Sequence, residues 1–149
     1  MYPNLRYIEL NQFDWIIENV KKELNSYLGR GFEEVCKEFT LIFWKQYSLV
    51  GRWWGNFRED SKRKSIEIDI VALNEKTKEV LFGECKWQDR VNAEKILVAL
   101  EEKSKYVNWH NEKRKESYAV FAKSFKKRIE EYNGKKVYCF DLKDIEKGN

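Results

Sequence analysis

The chain is poor in the residues that build metal clusters and disulfide frameworks. It has one histidine, His110, and three widely separated cysteines, Cys36, Cys85 and Cys139. A zinc site needs closely spaced cysteine pairs with companion histidines, and a disulfide framework needs an even number of cysteines. The sequence therefore indicates neither kind of site, and we expect the three cysteines to be reduced and mostly buried.

The chain also lacks an excess of one charge and any long apolar run. Lys and Arg number 29 and Asp and Glu number 25, so the net charge of +4 does not by itself indicate a nucleic-acid binder. No apolar run reaches the roughly 20 residues that a membrane-spanning helix needs, and MYPNLRYIEL does not resemble a signal peptide. Aromatic residues make up 15%, unlike a disordered chain. We expect a cytoplasmic globular protein without a membrane segment.

No internal repeat or low-complexity linker divides the sequence. We therefore expect one domain over residues 1–149, with an N-terminal helical extension over 1–28 and a core over 29–149. Apolar residues at steps of three and four, interrupted by Gly29 and Gly31, predict helices over 11–28, 32–44, 91–106 and 125–132. Steps of two predict strands over 49–54, 65–73, 79–87, 117–122 and 136–140, with a polar loop over 55–64. The order α-α-β-β-β-α-β-α-β is that of an α/β fold, a mixed β-sheet flanked by helices.

Two neighbouring strands carry the strongest chemical signal. Because side chains alternate along a strand, Asp69 in IEIDIVA faces away from Ile68 and Ile70, and Glu84 and Lys86 in FGECKW share a face. Pairing the two strands as a hairpin brings Asp69, Glu84 and Lys86 into one cluster. Two close carboxylates suit Mg²⁺ or Mn²⁺, and a lysine beside them can activate a water and stabilise charge on a phosphate.

Alternating charges are also common on solvated strand faces, where a pair such as Glu84 and Lys86 contributes little to stability. Three features favour a site instead. The separation of Asp69 and Glu84 fits a hairpin, the flanking residues are apolar, and a glutamate lies on the preceding helix. The sequence thus leaves a charged surface as the alternative to a metal site.

IEID followed by ECK, after a helix bearing GRGFEEV, resembles the PD-(D/E)XK nuclease superfamily over roughly residues 29–140. No proline precedes Asp69, as it does in many members. YPNL, GRGFEEVCKEF, GRWWG, EIDIVALN and FGECKW together resemble the nuclease-like C-terminal domain of archaeal ATPases. The chain has no G-x-x-x-x-G-K-[ST] phosphate loop and so resembles that tail alone. The resemblance implies a restriction-endonuclease-like core, α-β-β-β-α-β.

The resemblance also implies roles for single residues. Asp69, Glu84 and the backbone carbonyl of Cys85 would bind Mg²⁺ or Mn²⁺, and Lys86 would be the catalytic lysine. The catalytic glutamate on the helix would be Glu33. Glu34 is the alternative, but the apolar stripe of this helix favours Glu33 as the one that faces the site.

Basic and aromatic residues could contact nucleic acid. Arg52 could reach a phosphate, although a surface role is the alternative. Lys126, Lys127 and Arg128 would form one basic helix face, and further clusters lie at 62–64 and 113–115. As runs in a sequence, these clusters indicate a DNA surface and a solvated face equally. We expect Trp54 and Trp87 to lie in the core.

The sequence supports two functions from different classes. The first is a Mg²⁺-dependent endonuclease that hydrolyses DNA phosphodiester bonds, with DNA and an ATPase domain, in the same or another chain, as partners. The alternative is a catalytically silent nuclease-fold module that binds nucleic acid or a partner ATPase. The intact set of Asp69, Glu84 and Lys86 favours the enzyme. The sequence leaves open whether the domain works alone or as a homodimer.

Overall fold

The computed structural model describes residues 13–147, and their side chains from Leu28 onward except those of Phe57 and Glu59. The YPNL motif and the rest of residues 1–12 lie outside the described residues, as do residues 148–149. The elements in chain order are α1 (Phe13–Phe43), β1 (Leu49–Glu59), β2 (Lys62–Asn74), β3 (Glu79–Lys86), β4 (Val91–Asn92), α2 (Ala93–Ser104), β5 (Lys115–Ala122), β6 (Phe125–Lys127), β7 (Glu131–Tyr132), β8 (Lys135–Phe140) and α3 (Leu142–Lys147).

A six-stranded mixed sheet in the order β1-β2-β3-β5-β8-β7 organises the chain, which confirms the predicted α/β class. β1, β2 and β3 form an antiparallel meander, whereas β5 is parallel to both β3 and β8. The crossover from β3 to β5 runs through α2, as a parallel connection requires. β4 and β6 pair separately. Between residues 13 and 147, no helix is long and apolar enough to cross a membrane.

The two faces of the sheet bury separate cores. Residues of α1 such as Phe32 and Phe39 pack on one face against Leu81. Leu97 of α2 packs on the other face against Phe82. Leu81 and Phe82 are consecutive residues of β3 and both are fully buried. A central strand covered on both faces reads as a continuous apolar run rather than an alternating one.

The predicted break at Gly29 and Gly31 is wrong, since α1 is one helix of 31 residues. A glycine in a helix interior costs about 1 kcal/mol relative to alanine, a penalty that tertiary packing can outweigh. The buried residues Phe32, Cys36 and Phe39 follow both glycines and anchor the helix to the sheet. Packing of these residues against the sheet therefore keeps α1 continuous through the two glycines.

The predicted polar loop over 55–64 is also wrong. β1 and β2 continue through it as an antiparallel hairpin in which Glu59 pairs with Lys62. Asp60 and Ser61 form the two-residue turn with φ of 51° and 64°. Positive φ at both central residues is the geometry of a type I′ turn, whose twist matches that of the flanking strands.

The predicted helix over 125–132 does not form, and this span contains the short strands β6 and β7. Phe125 pairs with Val91 of β4, and Tyr132 pairs with Lys135 across a second hairpin. Asn133 and Gly134 at that turn have φ of 49° and 78°. Asn-Gly is a strong hairpin signal, and positive φ at both residues fits the two-residue turn between β7 and β8. α3, at the C-terminal end, was not predicted.

Candidate active site

The candidate site lies where β2 and β3 stop pairing. Their last pair toward the site is Ile70 with Gly83. A Cβ atom added to Gly83 would lie 3.1 Å from the Cβ atom of Ile70, so glycine allows the strands their close approach. Beyond this pair the two strands separate. The next residues are Asp69 on β2 and Glu84 on β3, and their side chains lie at the point where a regular sheet would have continued its backbone pairing.

A register shift in β2 accompanies the separation. Val71 pairs with Gly51 of β1, but the next pair joins Ile68 to Trp53, so β2 contains one more residue than β1 in this stretch. Ile68 consequently packs in the α2 core and Ile70 in the α1 core. The expectation that both isoleucines share one packed side is therefore wrong. Such irregularities re-aim side chains next to them, here Asp69.

The carboxylate of Asp69 takes the place of a strand partner. Its Oδ2 accepts a hydrogen bond of 2.9 Å from the backbone N–H of Cys85. This bond satisfies a donor that the separated strand leaves without a backbone acceptor. The backbone of β3 therefore fixes Asp69 next to Glu84 and the peptide group of Cys85.

Glu84 is a buried carboxylate, with only 6% of its side chain exposed. Its Oε1 accepts a 2.9 Å hydrogen bond from Nζ of Lys103 on α2. Burial and the neighbouring charge of Asp69 together raise the pKa of Glu84 to about 7, against the opposing effect of Lys103. Asp69 and Glu84 thus form a close acidic pair that lacks full neutralisation, which is the electrostatic condition for attracting a cation.

Lys103 is a site residue that the sequence analysis missed. It lies 19 positions from Glu84 along the chain, and the crossover from β3 through α2 brings the two together. The only sequence signal is its place on α2, three residues after the buried Leu100. That position does not distinguish an inward-facing lysine from a solvated one.

Glu33 faces Asp69 from α1. Burial raises the pKa of Glu33, the charge of Asp69 raises it further, and Arg52 lowers it. Glu34 is exposed and pairs with Lys37 at 2.9 Å. Of the two glutamates, Glu33 is therefore the one whose charge interacts with that of Asp69.

Lys86 is half-buried and lies two residues after Glu84 on β3, so the two side chains project to the same side of the strand. Lys86 makes no hydrogen bond or ion pair with any side chain in the described part of the chain. Its ammonium group therefore has no side-chain partner among the described residues. In contrast, the ammonium group of Lys103 donates a hydrogen bond to Glu84.

The donor set fits a hard divalent ion better than a zinc ion. Within the described residues, no three His, Cys, Asp or Glu side chains are arranged to hold a metal. Magnesium needs only one or two carboxylates, because it keeps several waters and takes oxygens from its substrate. Asp69, Glu84 and the carbonyl of Cys85 are the oxygen donors that could hold such an ion. The neighbouring thiol of Cys36 and burial raise the pKa of the Cys85 thiol.

The structure disperses the proposed basic helix face. Lys127 ends β6 and pairs with Glu94 at 2.8 Å, and Arg128 pairs with Asp141 at 2.6 Å. Lys126 is exposed beside the start of α2. Two of the three cations are therefore engaged with carboxylates. Arg52 likewise pairs with Glu67, close to Glu33.

The tryptophans divide differently from the expectation. Trp87 packs against Phe32, with ring centroids 5.1 Å apart, and borders the α1 core as expected. Trp54 is 68% exposed, so its expected core position is wrong. It lies on the β1–β2 hairpin, where its cross-strand partner is the exposed Glu67.

Comparisons with known proteins place the chain in a family. A family model described as archaea bacterial proteins of unknown function matches residues 1–96. An uncharacterized protein of Methanocaldococcus jannaschii is 36% identical over 153 residues, which cover 97% of this chain and 31% of that protein. The chain thus spans about a third of the length of this relative. No solved structure matches the chain.

Proposed function

The chain belongs to this family of archaea bacterial proteins of unknown function, and we propose that it is a metal-dependent nuclease domain of the PD-(D/E)XK type. Its substrate is DNA and its reaction the hydrolysis of phosphodiester bonds. The observation that carries the proposal is the acidic pair of Asp69 and Glu84, held where β2 and β3 separate, with Lys86 on the same strand. Glu33, approaching from α1, adds a third carboxylate.

Asp69, Glu84 and the carbonyl of Cys85 are the groups that would hold Mg²⁺ or Mn²⁺. When bound, such an ion supplies Lewis acidity to the phosphate and lowers the pKa of a water molecule. Burial makes Glu84 a strong attractor for a cation, because its ionised form lacks the solvation that water would give. Lys103 neutralises part of that charge and keeps the carboxylate in place.

Lys86 and Glu33 would act on the water and the phosphate. In hydrolysis the water oxygen bonds to phosphorus, the bond from phosphorus to the leaving oxygen breaks, and that oxygen takes a proton. Nζ of Lys86 would orient the water and stabilise the charge that develops on the phosphoryl oxygens. Glu33 offers an acceptor for a water hydrogen beside Asp69.

Nuclease activity is tested with supercoiled plasmid DNA. The purified protein should nick or cut it with Mg²⁺ or Mn²⁺, and EDTA should stop the reaction. Asp69→Ala, Glu84→Gln and Lys86→Ala should each reduce the rate at least about a hundredfold, the scale of losing one preorganised group. Glu112→Gln is a matched control, because Glu112 is exposed and outside the site. Full activity in Asp69→Ala would overturn the assignment.

One observation favours the alternative of a catalytically silent module. Glu84 already has a cationic partner in Lys103, so a nucleic-acid-binding domain could keep the acidic residue for structure alone. Such a module would bind DNA without cutting it and would gain no stability from Mn²⁺. DNA binding with neither metal-dependent cleavage nor stabilisation by Mn²⁺ would support the silent module over the nuclease.

The association with an ATPase is also a proposal. It rests on the resemblance of the motifs and on the relative, of whose length this chain covers only 31%. We propose that the domain acts in the cytoplasm beside an ATPase domain in the same or another chain. Size-exclusion chromatography with light scattering tests whether the isolated domain forms a homodimer.

A further inference from the structure

The far part of the β1–β2 hairpin is a two-stranded ribbon that extends beyond the sheet. β2 pairs with β3 only over residues 70–74, whereas its pairing with β1 continues to Glu59 and Lys62. At a rise of about 3.3 Å per residue, the stretch from Trp53 to Glu59 is about 20 Å long. We define residues 53–68 as the ribbon. Isolated ribbons of this kind are marginally stable, so an extension of this length invites a functional explanation.

One face of the ribbon is exposed along its whole length. By strand alternation, Trp54, Asn56 and Arg58 of β1 share this face with Arg63, Ser65 and Glu67 of β2, and all six residues are exposed. The opposite face is partly packed. There the ring of Trp53 lies over Gly55, where an added Cβ atom would be 2.8 Å from the ring.

The exposed face leads to the candidate active site. At its base Glu67 pairs with Arg52, and both charges interact with Glu33. Asp69 follows Glu67 by two residues on β2. A polymer lying along this face would therefore reach Glu33 and Asp69 at the base of the ribbon.

Two arginines on this face stand opposite each other at a cost to stability. Arg58 and Arg63 are direct cross-strand partners. Like charges in that position repel, and among the described side chains neither arginine has a carboxylate partner. From Arg52 to Glu67 the chain has five basic and three acidic residues. An anionic partner would be attracted to both guanidinium groups and would offset their mutual repulsion.

We infer that the ribbon docks into the major groove of double-stranded DNA and delivers a strand to the site, an inference that rests on the proposed nuclease function. The major groove of B-form DNA is about 12 Å wide and admits a two-stranded β-ribbon. Arg58 and Arg63 contact backbone phosphates, and the exposed ring of Trp54 makes apolar contact with the sugars or bases. The major groove of duplex RNA is too narrow and deep for this mode.

The test measures binding of a fluorescein-labelled DNA duplex of about 20 base pairs by fluorescence anisotropy, in EDTA, over a range of KCl concentrations. Arg58→Gln/Arg63→Gln should weaken binding and reduce the slope of log K against log[KCl] by about 1.8, or about 0.9 for each phosphate contact. Trp54→Ser should weaken binding without changing the slope. An RNA duplex of the same sequence should bind more weakly than the DNA.

Lys76→Gln/Lys113→Gln is the matched control. It removes the same charge from two exposed lysines at the other end of β2, in the β2–β3 turn and in the loop before β5. Its slope should equal that of the wild type. An unchanged slope in the arginine variant, an equal flattening in the control, or no duplex binding by the wild type would overturn the ribbon proposal. The melting temperature of the arginine variant should be equal or higher, since a repulsion is removed.

Cleavage assays separate this inference from the proposed function. If the arginine variant binds with a flattened slope but the wild type cuts nothing with Mg²⁺ or Mn²⁺, the ribbon stands and the nuclease fails. If the wild type cuts and the arginine variant cuts equally well at limiting DNA, the nuclease stands and the ribbon fails.

Discussion

Replacing Glu84 by Gln should stabilise the metal-free protein at alkaline pH. The native state raises the pKa of Glu84 from 4.5 to about 7, so the folded protein holds this proton over a range in which the unfolded chain has lost it. Stability from this group is therefore complete below about pH 4.5 and falls as the pH rises through 7. At about 1.4 kcal/mol per pKa unit, the loss between pH 5 and pH 8 is about 2–3 kcal/mol.

The assay is thermal or urea denaturation in EDTA at several pH values. The melting temperature of the wild type should fall by about 5–10 °C relative to that of Glu84→Gln between pH 5 and pH 8. Glu112→Gln is the control and should follow the wild type, because this side chain is exposed. Glu75 would be a poor control, since it accepts a hydrogen bond from Trp109. Equal pH dependence in the wild type and Glu84→Gln would refute the buried acidic pair.

Added metal extends the same experiment. Mn²⁺ at ten times its dissociation constant should stabilise the wild type by about 1.4 kcal/mol by mass action. For a domain of this size that gain corresponds to a melting shift of about 3–6 °C. Glu84→Gln and Asp69→Asn should lose most of the shift. Asp69→Asn should also lower the pKa of Glu84, since the charge of Asp69 raises it. Identical metal responses in wild type and Asp69→Asn would return the pair to an ordinary charged surface.

Two further substitutions test how the site is supported. Lys103→Gln removes the cation that lowers the pKa of Glu84, so the pH at which the metal-free protein loses stability should move upward in a denaturation series. A midpoint that stays in place would remove Lys103 from the site. Gly83→Ala would force a Cβ atom to 3.1 Å from that of Ile70, and urea denaturation should show a loss of about 1–3 kcal/mol. Wild-type stability in that variant would contradict the close approach of β2 and β3.

The sequence predicted the β2–β3 hairpin and the residues that meet near its end because both depend on local patterns. Alternation along IEIDIVA and FGECKW predicts the hairpin without knowledge of any distant segment, and Asp69 and Glu84 are the residues that follow its last pair, Ile70 with Gly83. The loop over 55–64 and the helix over 125–132 were mispredicted for two different reasons. Residues 55–64 pair locally across the turn at Asp60 and Ser61, but their polar composition resembles that of a solvated loop. Phe125 instead pairs with Val91, a contact between distant segments that a local pattern does not reveal.

By itself the sequence determined the α/β class and the order of the central elements, since hydrophobic period is set by residues a few positions apart. Tertiary structure alone decided three further properties of the chain. Ile68 and Ile70 face different cores because β2 gains a residue relative to β1. Glu84 has a pKa near 7 because burial and Asp69 outweigh Lys103. Lys127 and Arg128 are paired because Glu94 and Asp141, each more than ten positions away, fold against them. Each property depends on contacts between distant segments, and a local sequence pattern carries no information about such contacts.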